Sequence, residues 1–405
     1  MTSDAETAGY RGDDIGSEQA VRLVLMPPVL ERDIVSMNRF STELVSELLK
    51  HEELTVNVAP GTLDYSLPRW VPRRIRRGST RFLLYPMAVR RLTGDIFHLL
   101  THAYGHLTTV LPAERMVVTC HDVIPLRAQA MKAPFAVPRA TLAWYRLAVS
   151  FLRRVAHVAC VSEATRRDVI QLVGVDPSRT SVVLQGLSER FRPLSAERRG
   201  LVRSSFPTDA KLVLHVSSGA AYKNVEGTLR VLAHLRQRGQ KVLLLRVGPR
   251  LRPEQRTVAD HHGVCRYLIE VGSPSDERLA ELYGAVDAVI FPSYWEGFGL
   301  PAAEALACGA PTVVSDCEPL LETVGDAALA APATDSQALA GAVCRLWESP
   351  SLRAELRERG LARVRRFSWE LAGDQYVKLY RRIRREAQGP PTAPREMLGV
   401  TQSGS

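Results

Sequence analysis

The chain has 405 residues, of which 45% are hydrophobic and 24% are charged, and its formal net charge is +10 at pH 7. Length alone predicts two or three domains, and the composition is ordinary for a globular protein. No apolar run approaches the roughly 18 residues that span a bilayer, which excludes a membrane-spanning protein by this criterion. The six cysteines are scattered without a CxxC pair, which predicts buried free thiols in a reducing cytosol rather than disulfides or a zinc site.

Residues 1–20 are polar and acidic, lack the pattern of a signal peptide, and are predicted to be a disordered lead-in.

Positive charge is concentrated in two stretches of the chain. The stretch 69–92 contains eight arginines and no acid, with Trp70, Phe82 and Tyr85 among them, and a second basic run covers 363–385. Such patches attract anionic lipid head groups, nucleic acid or phosphorylated substrates. A solvated basic face without a partner is an equally good interpretation.

Short apolar runs alternate with amphipathic stretches through the first half of the chain. The predicted strands are 22–26, 54–58, 95–100, 116–122, 157–162 and 181–186. The predicted helices are 42–51, 139–155 and 163–174, and the last of these has Ser162 as N-cap and Gly174 as its end. This alternation predicts a parallel sheet covered by helices on both faces.

The second half of the chain contains a new series of alternating strands and helices. Its predicted strands are 211–218, 241–248, 265–272, 288–293 and 311–316, and its predicted helices are 224–238, 276–285, 336–347 and 351–366. Two such series predict an N-terminal domain over 21–200 and a C-terminal domain over 206–368, with a cleft between them. A last helix is predicted over 369–388, and the Pro/Gly/Ser-rich tail 389–405 is predicted to be disordered.

The segment EGFGLPAAEALACGAPTVVSD begins at Glu296, directly after a predicted strand. Gly297 and Gly299 allow a sharp turn, and the following Pro-Ala-Ala-Glu run favours a helix whose first turn contains Glu304. A helix N-terminus at the carboxyl edge of a parallel sheet suits a diphosphate, and carboxylates beside it suit ribose and sugar hydroxyls. For two isolated glutamates a purely structural role would be the better interpretation, but the whole pattern favours a nucleotide-sugar site.

This segment resembles the signature of retaining GT-B glycosyltransferases, in particular glycosyltransferase family 4. The resemblance extends over most of the chain: DIFHLLTHAY, VVTCHDVIPL, residues 154–186, HVSSGAAYKN (215–224) and FSWELAGDQYVKLY all resemble segments of that family. It implies an α/β fold of the GT-B type, with two doubly wound Rossmann-like domains facing a central cleft. It also implies that the helix over 369–388 crosses back onto the N-terminal domain.

The resemblance implies roles for individual residues. Glu304 would bind the ribose hydroxyls, Glu296 the donor sugar, and Lys223 the diphosphate, while His121 would lie near the donor sugar. The implied catalytic residues are His121, Glu296 and Lys223, the donor-binding residues are Glu304, Phe298, Gly299, Leu300, Gly297, Ser218 and Val271, and the acceptor-side residues are Asn38, Arg39 and Asp122. Backbone amides of 298–300 would face the sugar and the phosphates.

The implied reaction is metal-independent glycosyl transfer with retention, in which the departing phosphate takes the acceptor's proton. No further cofactor is implied, because the GDP- or UDP-linked sugar is a substrate. Mannose is the first candidate for the sugar, and the acceptor would be a glycan or a lipid-linked glycan. Two departures from the family pattern stand out: Ser218 replaces an arginine of many relatives, and the loop after the first strand lacks a glycine pair.

Several other functions are compatible with an α/β chain of this kind but fit the sequence less well. No GxGxxG motif follows the strands at 22–26 and 211–218, which argues against a nicotinamide enzyme, and the basic stretches contain no nucleic-acid-reading module. An epimerase or a phosphorylase fits the motifs less well. A catalytically inactive sugar-nucleotide-binding subunit is the strongest alternative. The expected location is cytoplasmic, with the stretch 69–92 attaching the chain to the anionic inner face of the membrane.

Overall fold

The structure is a computed structural model, and it describes residues 20–28, 35–59, 71, 78–207 and 209–388. Within these residues twelve strands form two sheets in which every paired strand is parallel. The strands of the first sheet are β1 (Val21–Met26), β2 (Leu54–Val58), β3 (Ile96–Leu99), β4 (Met116–Cys120), β5 (His157–Cys160) and β6 (Thr180–Val182). Those of the second are β7 (Lys211–Val216), β8 (Val242–Val247), β9 (Leu268–Gly272), β10 (Ala288–Phe291), β11 (Thr312–Ser315) and β12 (Leu329–Ala331).

Both sheets are doubly wound. The first has the order β2-β1-β3-β4-β5-β6, so the chain reverses direction across the sheet between β1 and β3. The second has the order β12-β11-β10-β7-β8-β9, so its reversal lies between β7 and β10. Ligands bind such sheets at the carboxyl ends of the strands beside the reversal. The predicted α/β class with two doubly wound sheets is confirmed.

Helices cover both faces of each sheet, and most predicted helices are present. The α-helices among the described residues are α1 (Val35–Leu48), α2 (Tyr85–Val89), α3 (Ile124–Ala130), α4 (Arg139–Ser150), α5 (Glu163–Asp168), α6 (Ala196–Arg203), α7 (Val225–Gln237), α8 (Pro253–His261), α9 (Asp276–Ala285), α10 (Leu300–Ala307), α11 (Glu318–Val324), α12 (Ser336–Glu348), α13 (Pro350–Arg363) and α14 (Trp369–Gln388). Strands β3, β4 and β5 are buried over their whole length because helices pack on each side of the sheet.

The last helix, α14, packs against the first sheet, as predicted. Its Tyr380 hydroxyl lies 2.6 Å from Nδ1 of His98 on β3, and its Tyr376 hydroxyl lies 2.9 Å from Oγ1 of Thr119 on β4. Both tyrosines are buried in a core shared with β1, β3 and α1. These hydrogen bonds satisfy polar groups that would otherwise be buried without partners, and they fix the position of the helix.

Contacts between the two halves are concentrated at the N-terminus of α5. The Glu322 carboxylate of α11 accepts hydrogen bonds from the backbone N–H groups of Glu163 and Ala164, at 2.7 and 3.1 Å. A carboxylate at a helix N-terminus satisfies free donors and complements the helix dipole. One half of the chain therefore caps a helix of the other, which links the two sheets at a defined point.

Some elements differ from the sequence predictions. Helix α1 begins at Val35 rather than at 42, and the helix predicted over 163–174 is an α-helix to Asp168 followed by a π-helical turn. Its predicted ends are confirmed, since the Ser162 side chain caps it and Gly174 is left-handed, with φ of 80°. Strand β12 and helices α2, α3, α6, α8 and α11 were not predicted. Helix α6 lies in the segment predicted to join the domains.

All six cysteines are free, and five are buried, which confirms the predicted absence of disulfides. The predicted tail 389–405 and nearly all of the lead-in 1–20 lie outside the described residues, as do most of residues 69–77. Among the described helices, none combines the length and apolar character that crossing a membrane requires.

Candidate active site at the facing sheet edges

A buried ion pair joins the loops that follow β7 and β10, the two strands beside the reversal of the second sheet. Lys223 Nζ lies 2.8 and 2.7 Å from the two carboxylate oxygens of Glu296. The Ser293 hydroxyl donates a third hydrogen bond to Oε1 of Glu296, at 2.7 Å. Burial is the largest single influence and would lower the pKa of Lys223, but the charge and hydrogen bond of Glu296, with smaller contributions from Tyr222 and Asp122, together raise that pKa above its ordinary value. Lys223 is therefore a fixed cation at the carboxyl edge of the sheet.

Asn224 explains why Lys223 is held there. Asn224 has a left-handed backbone, with φ of 51°, and its side chain caps α7 by accepting from Gly227 N at 3.0 Å. Its amide group donates to the carbonyls of Pro292 and Ala333, at 2.9 and 2.8 Å. Asparagine tolerates this conformation better than most residues. The asparagine thus ties the loop after β7 to the loop after β10, a role that sequence reasoning missed although the Lys-Asn pair was a usable signal.

Glu304 lies in the first turns of α10 and is 1% exposed. The Tyr283 hydroxyl donates to its Oε2 at 3.3 Å, and Arg39 donates to its Oε1. Burial raises the pKa of Glu304 to about 7, even though the charge of Arg39 opposes that shift. The carboxylate is therefore the most strongly perturbed acid of this region, as expected for a group reserved for a ligand.

Arg39 reaches this glutamate from the other half of the chain. It belongs to α1, and its guanidinium also donates to Asp276, the first residue of α9, while it stacks at 5.4 Å from the Phe191 ring centroid. The acceptor-side role predicted for Arg39 and its half-buried neighbour Asn38 stays a prediction, and the structure places the Arg39 side chain against Glu304 of the other half. A ligand hydroxyl pair that binds Glu304 must therefore displace or share this guanidinium.

His121 and Asp122 follow β4 of the first sheet. Nε2 of His121 lies 2.9 Å from the Leu100 carbonyl, and because a carbonyl only accepts, Nε2 carries the hydrogen. The ring meets Phe40 edge-on at 4.7 Å, and burial lowers the pKa of His121, so the imidazole is neutral at pH 7. Asp122 accepts from Ile124 N at 3.1 Å and thereby supports the start of α3.

The glycine-rich loop after Glu296 forms a further direct contact between the two halves. A Cβ atom at Gly297 would collide with the His121 carbonyl, and the Gly297 carbonyl itself accepts from Ser162 and, at 3.1 Å, from Thr165. Gly299 is left-handed, with φ of 93°, and serves as the N-cap of α10. His121 and Glu296, on different sheets, are therefore brought together through the backbone of Gly297.

The remaining predicted donor residues occupy different environments. The Phe298 ring is buried against Phe367, at a centroid distance of 5.1 Å, so the part of Phe298 left for a ligand is its backbone. Leu300 opens α10 and is followed by Pro301, which has no N–H, while the N–H groups of Ala302 and Ala303 donate to the Gly299 carbonyl. The donor that the first turn presents to a ligand is therefore the N–H of Leu300. Ser218 is exposed in the loop after β7, and Val271 on β9 packs against the core of the second sheet.

We expect Gly297→Ala to weaken the contact between the two halves. The new methyl group would overlap the His121 carbonyl, so the backbones would have to separate, at an expected cost of about 1–3 kcal/mol in unfolding free energy. Thermal unfolding and activity would be compared with those of Gly200→Ala, because a Cβ at Gly200 meets no atom within 4 Å. Equal stability and activity of the Gly297 variant would contradict the close approach.

The arrangement suits an anionic ligand that also carries hydroxyl groups. A cation and the N-terminus of α10 can hold phosphate, while Glu304 can accept from two hydroxyls. Within the described residues, no three His, Cys, Asp or Glu side chains are placed together as metal ligands would be.

Comparison with known proteins identifies two family models along the chain. The model described as Glycosyltransferase Family 4 matches residues 37–189, and the model described as Glycosyl transferases group 1 matches residues 201–363. Each model covers one sheet with its helices, and together they span most of the chain.

Among curated proteins, the chain is 26% identical over 317 residues to the serotype-specific mannosyltransferase WbdA of Escherichia coli, covering 75% of this chain and 38% of that protein. The chain thus spans less than half the length of this relative. It is 31% identical over 235 residues to the MMP alpha-(1->4)-mannosyltransferase of Mycolicibacterium hassiacum, covering 56% and 54% of the two chains.

Among solved structures, the sucrose-phosphate synthase of Thermosynechococcus elongatus superposes with a TM-score of 0.74 at 21% identity, covering 90% of this chain and 99% of that chain. Anabaena HepE in complex with UDP and glucose superposes with a TM-score of 0.70 at 18% identity, covering 89% and 100%. Such identities show the fold alone. Taken with the family models, they show that the chain belongs to the group 1, family 4 glycosyltransferases and has their two-domain GT-B fold.

Proposed function

We propose that this chain transfers a hexose, with mannose as the first candidate, from a nucleoside-diphosphate sugar to a glycan or lipid-linked acceptor in polysaccharide or glycoconjugate biosynthesis. The observation that carries the proposal is the Lys223–Glu296 pair at the reversal of the second sheet, beside the N-terminus of α10. Similarity to mannosyltransferases supports mannose, and similarity to HepE, whose structure contains UDP and glucose, supports a nucleotide donor.

The proposed reaction proceeds with retention of configuration and without a metal ion. The bond between the sugar and the diphosphate breaks, the acceptor oxygen bonds to the same face of the sugar, and a phosphate oxygen takes the acceptor's proton. Lys223 and the backbone N–H groups that lead into α10, those of residues 298–300, would stabilise the negative charge that grows on the leaving diphosphate. Glu296 would then exchange part of its contact with Lys223 for sugar hydroxyls.

The donor's ribose would bind at Glu304. Its two hydroxyls can donate to the carboxylate in place of the Arg39 guanidinium, which would turn toward Asp276, its second partner. Neutral His121 would lie beside the sugar, where it can accept a hydrogen bond through Nδ1 without repelling an oxocarbenium-like centre.

A thermal-shift screen with GDP, UDP, ADP and dTDP tests the donor site. A nucleotide that binds the folded chain raises its melting temperature by mass action, and we expect one of the four to do so. Glu304→Ala should abolish the shift relative to its own baseline, whereas Glu348→Ala, on the exposed end of α12, should retain it. No shift with any of the four would contradict the proposal.

The second candidate is a catalytically inactive sugar-nucleotide-binding subunit. It predicts the same thermal shift without release of nucleoside diphosphate from the corresponding sugar nucleotide. For an active enzyme, the anomeric configuration of the product, measured by NMR, tests retention, and full activity in EDTA tests metal independence.

We further propose that the N-terminal domain, which would bind the acceptor, attaches to an anionic membrane surface. Phe82, Leu83 and Met87 are 51%, 57% and 51% exposed, and Trp144 of α4 is 64% exposed. The rings of Phe82 and Trp144 lie 6.2 Å apart between centroids, so the two segments form one apolar patch. The same two segments and the loop between them also contain exposed cations, namely Arg90, Arg91, Lys132, Arg139 and Arg146. Exposed apolar side chains in segments rich in exposed cations suit an interface with anionic lipid.

Vesicle sedimentation tests this surface. We expect the chain to sediment with vesicles containing anionic lipid and much less with neutral vesicles at moderate salt. Trp144→Ser should reduce binding, whereas Leu201→Ser, which alters a 58% exposed leucine of α6, should not. Equal partitioning between the two kinds of vesicle would contradict the proposal.

A further inference from the structure

Resting on the proposed function, we propose that Arg246 supplies the second cation of the donor diphosphate site, with Lys223 as the first. Arg246 lies on β8, immediately beside β7, and is 1% exposed. It thus stands next to the strand whose loop contains Ser218, the position where the family resemblance leads one to expect an arginine. Arg246 on β8 thus provides, on the neighbouring strand, the positive charge that Ser218 does not provide in the loop after β7.

The hydrogen bonding of Arg246 is incomplete. Its Nη1 donates to the Pro249 carbonyl, but Nε and Nη2 have no hydrogen-bond partner. Glu270, its register partner on β9, is already engaged, since its oxygens accept from Leu251 N at 2.6 Å and from Arg256 Nη2 at 3.1 Å. A buried guanidinium without full compensation costs stability, so a purely structural role does not explain it.

The unpartnered groups face the loop that leads to Lys223. A Cβ atom at Gly219 would lie 3.3 Å from Nη2 of Arg246, so the absence of a side chain there keeps this approach to the guanidinium clear. The hydroxyl of Ser217, which is 6% exposed, also has no hydrogen-bond partner. Two unsatisfied side chains therefore lie against one loop, each with a donor for a phosphate oxygen.

The charges of Arg246 and Lys223 both act on the buried imidazole of His215. It is the register partner of Arg246 on β7, and its Nδ1 lies 2.7 Å from the Thr228 hydroxyl. Burial, followed by the charges of Arg246 and Lys223, lowers the pKa of His215 to about 3. The imidazole is therefore neutral, and the charges of both cations act on it, which is consistent with one diphosphate reaching both.

Because Arg246 is almost fully buried, the loop 217–220 must move for a phosphate oxygen to reach it. Gly219 is left-handed, with φ of 75°, and the small residues around it permit such a movement. Arginine can form two parallel hydrogen bonds with a phosphate group, which lysine cannot. In this proposal the two cations have different roles: Lys223 neutralises the negative charge of the diphosphate, and Arg246 orients the diphosphate.

Isothermal titration of the full chain with GDP and UDP tests the proposal, alongside the matching monophosphates and nucleosides. For the diphosphate that binds, we expect Arg246→Met to lower the affinity by about tenfold or more. The affinity for the nucleoside should be unchanged. Arg345→Met, which removes an exposed arginine of α12, is the matched control and should bind like the wild type. Arg246→Lys should give an intermediate loss.

The ligand-free melting temperature separates this role from a structural one. Removing a buried, incompletely paired charge should leave stability unchanged or raised, so weaker diphosphate binding would not result from unfolding. Adding Ser218→Arg to Arg246→Met should restore part of the affinity. Equal diphosphate affinity in Arg246→Met and the wild type would overturn the proposal, and so would an equal loss for the nucleoside. Failure of every nucleotide to bind the wild type would overturn the proposed function as well.

Discussion

Replacing Lys223 by methionine is expected to lower turnover of the sugar nucleotide by about two to three orders of magnitude, the usual effect of removing a preorganised group that stabilises developing negative charge. Lys223 is held at 2.7–2.8 Å from Glu296 by a loop that Asn224 fixes, so its charge needs no reorganisation during the reaction. The measurement is the rate of nucleoside diphosphate release with the donor that the thermal-shift screen identifies. The loss should appear mainly in kcat, because the charge on the leaving group is greatest in the transition state.

The variant also leaves Glu296 buried without its partner, and breaking a buried pair costs about 3–5 kcal/mol. The double variant Lys223→Met/Glu296→Gln removes both charges and should recover stability without recovering activity. Lys211→Met is the matched control, since Lys211 begins β7 and its side chain is 48% exposed. A folded Lys223→Met enzyme with wild-type kcat would contradict the role of this lysine.

Much of the fold was predictable because strands buried on both faces are continuous apolar runs. Eleven of the twelve strands overlap a predicted strand over most of their length, β10 among them. Strand β12 was missed because Leu329–Ala331 is too short and alanine-rich to be distinguished from a loop. Helix α1 begins seven residues before its predicted start, and its hydrophobic pattern before residue 42 is weak. The π-helical turn after Asp168 leaves no mark in a helical periodicity.

The site was predictable only in part, because sequence indicates residue types and not partners. Glu296 and Glu304 stood out through their motif, and Lys223 through its place after a strand. That Lys223 pairs with Glu296, and that Arg39 reaches Glu304 across the two halves, depends on tertiary packing over long sequence separations. The sequence did not indicate a role for Arg246, because a single arginine in an apolar strand is normally interpreted as an exposed residue. The structure instead buries it beside the loop of Lys223.

Glu304→Gln is expected to make the ligand-free chain more stable than the wild type at pH 8 and to leave its stability nearly unchanged at pH 5. Burial raises the pKa of Glu304 from 4.5 to about 7, so between these values the folded chain binds a proton that the unfolded chain has released. The stability contributed by this group is therefore fully present below pH 4.5 and is lost as the pH rises through 7. Above that pH the buried charge destabilises the fold by roughly 3 kcal/mol, which the neutral glutamine avoids.

Urea unfolding at pH 5, 6, 7 and 8 measures this difference. Glu281→Gln is a control of opposite sign, because hydrogen bonds from Arg278 and Arg198 lower the pKa of Glu281 and its charge supports the fold at neutral pH. A stability difference for Glu304→Gln that does not change with pH would contradict the raised pKa.

The same substitution should abolish the nucleotide-induced thermal shift at pH 8, because a glutamine offers one acceptor oxygen where the carboxylate offers two to a ribose diol. In the wild type, nucleotide affinity should fall as the pH drops below 7 and the carboxylate takes up a proton. A variant that is more stable without ligand and no longer stabilised by nucleotide would show that Glu304 is retained for binding at the expense of stability. Arg39 then acts as the group that keeps this buried carboxylate tolerable until the ribose replaces it.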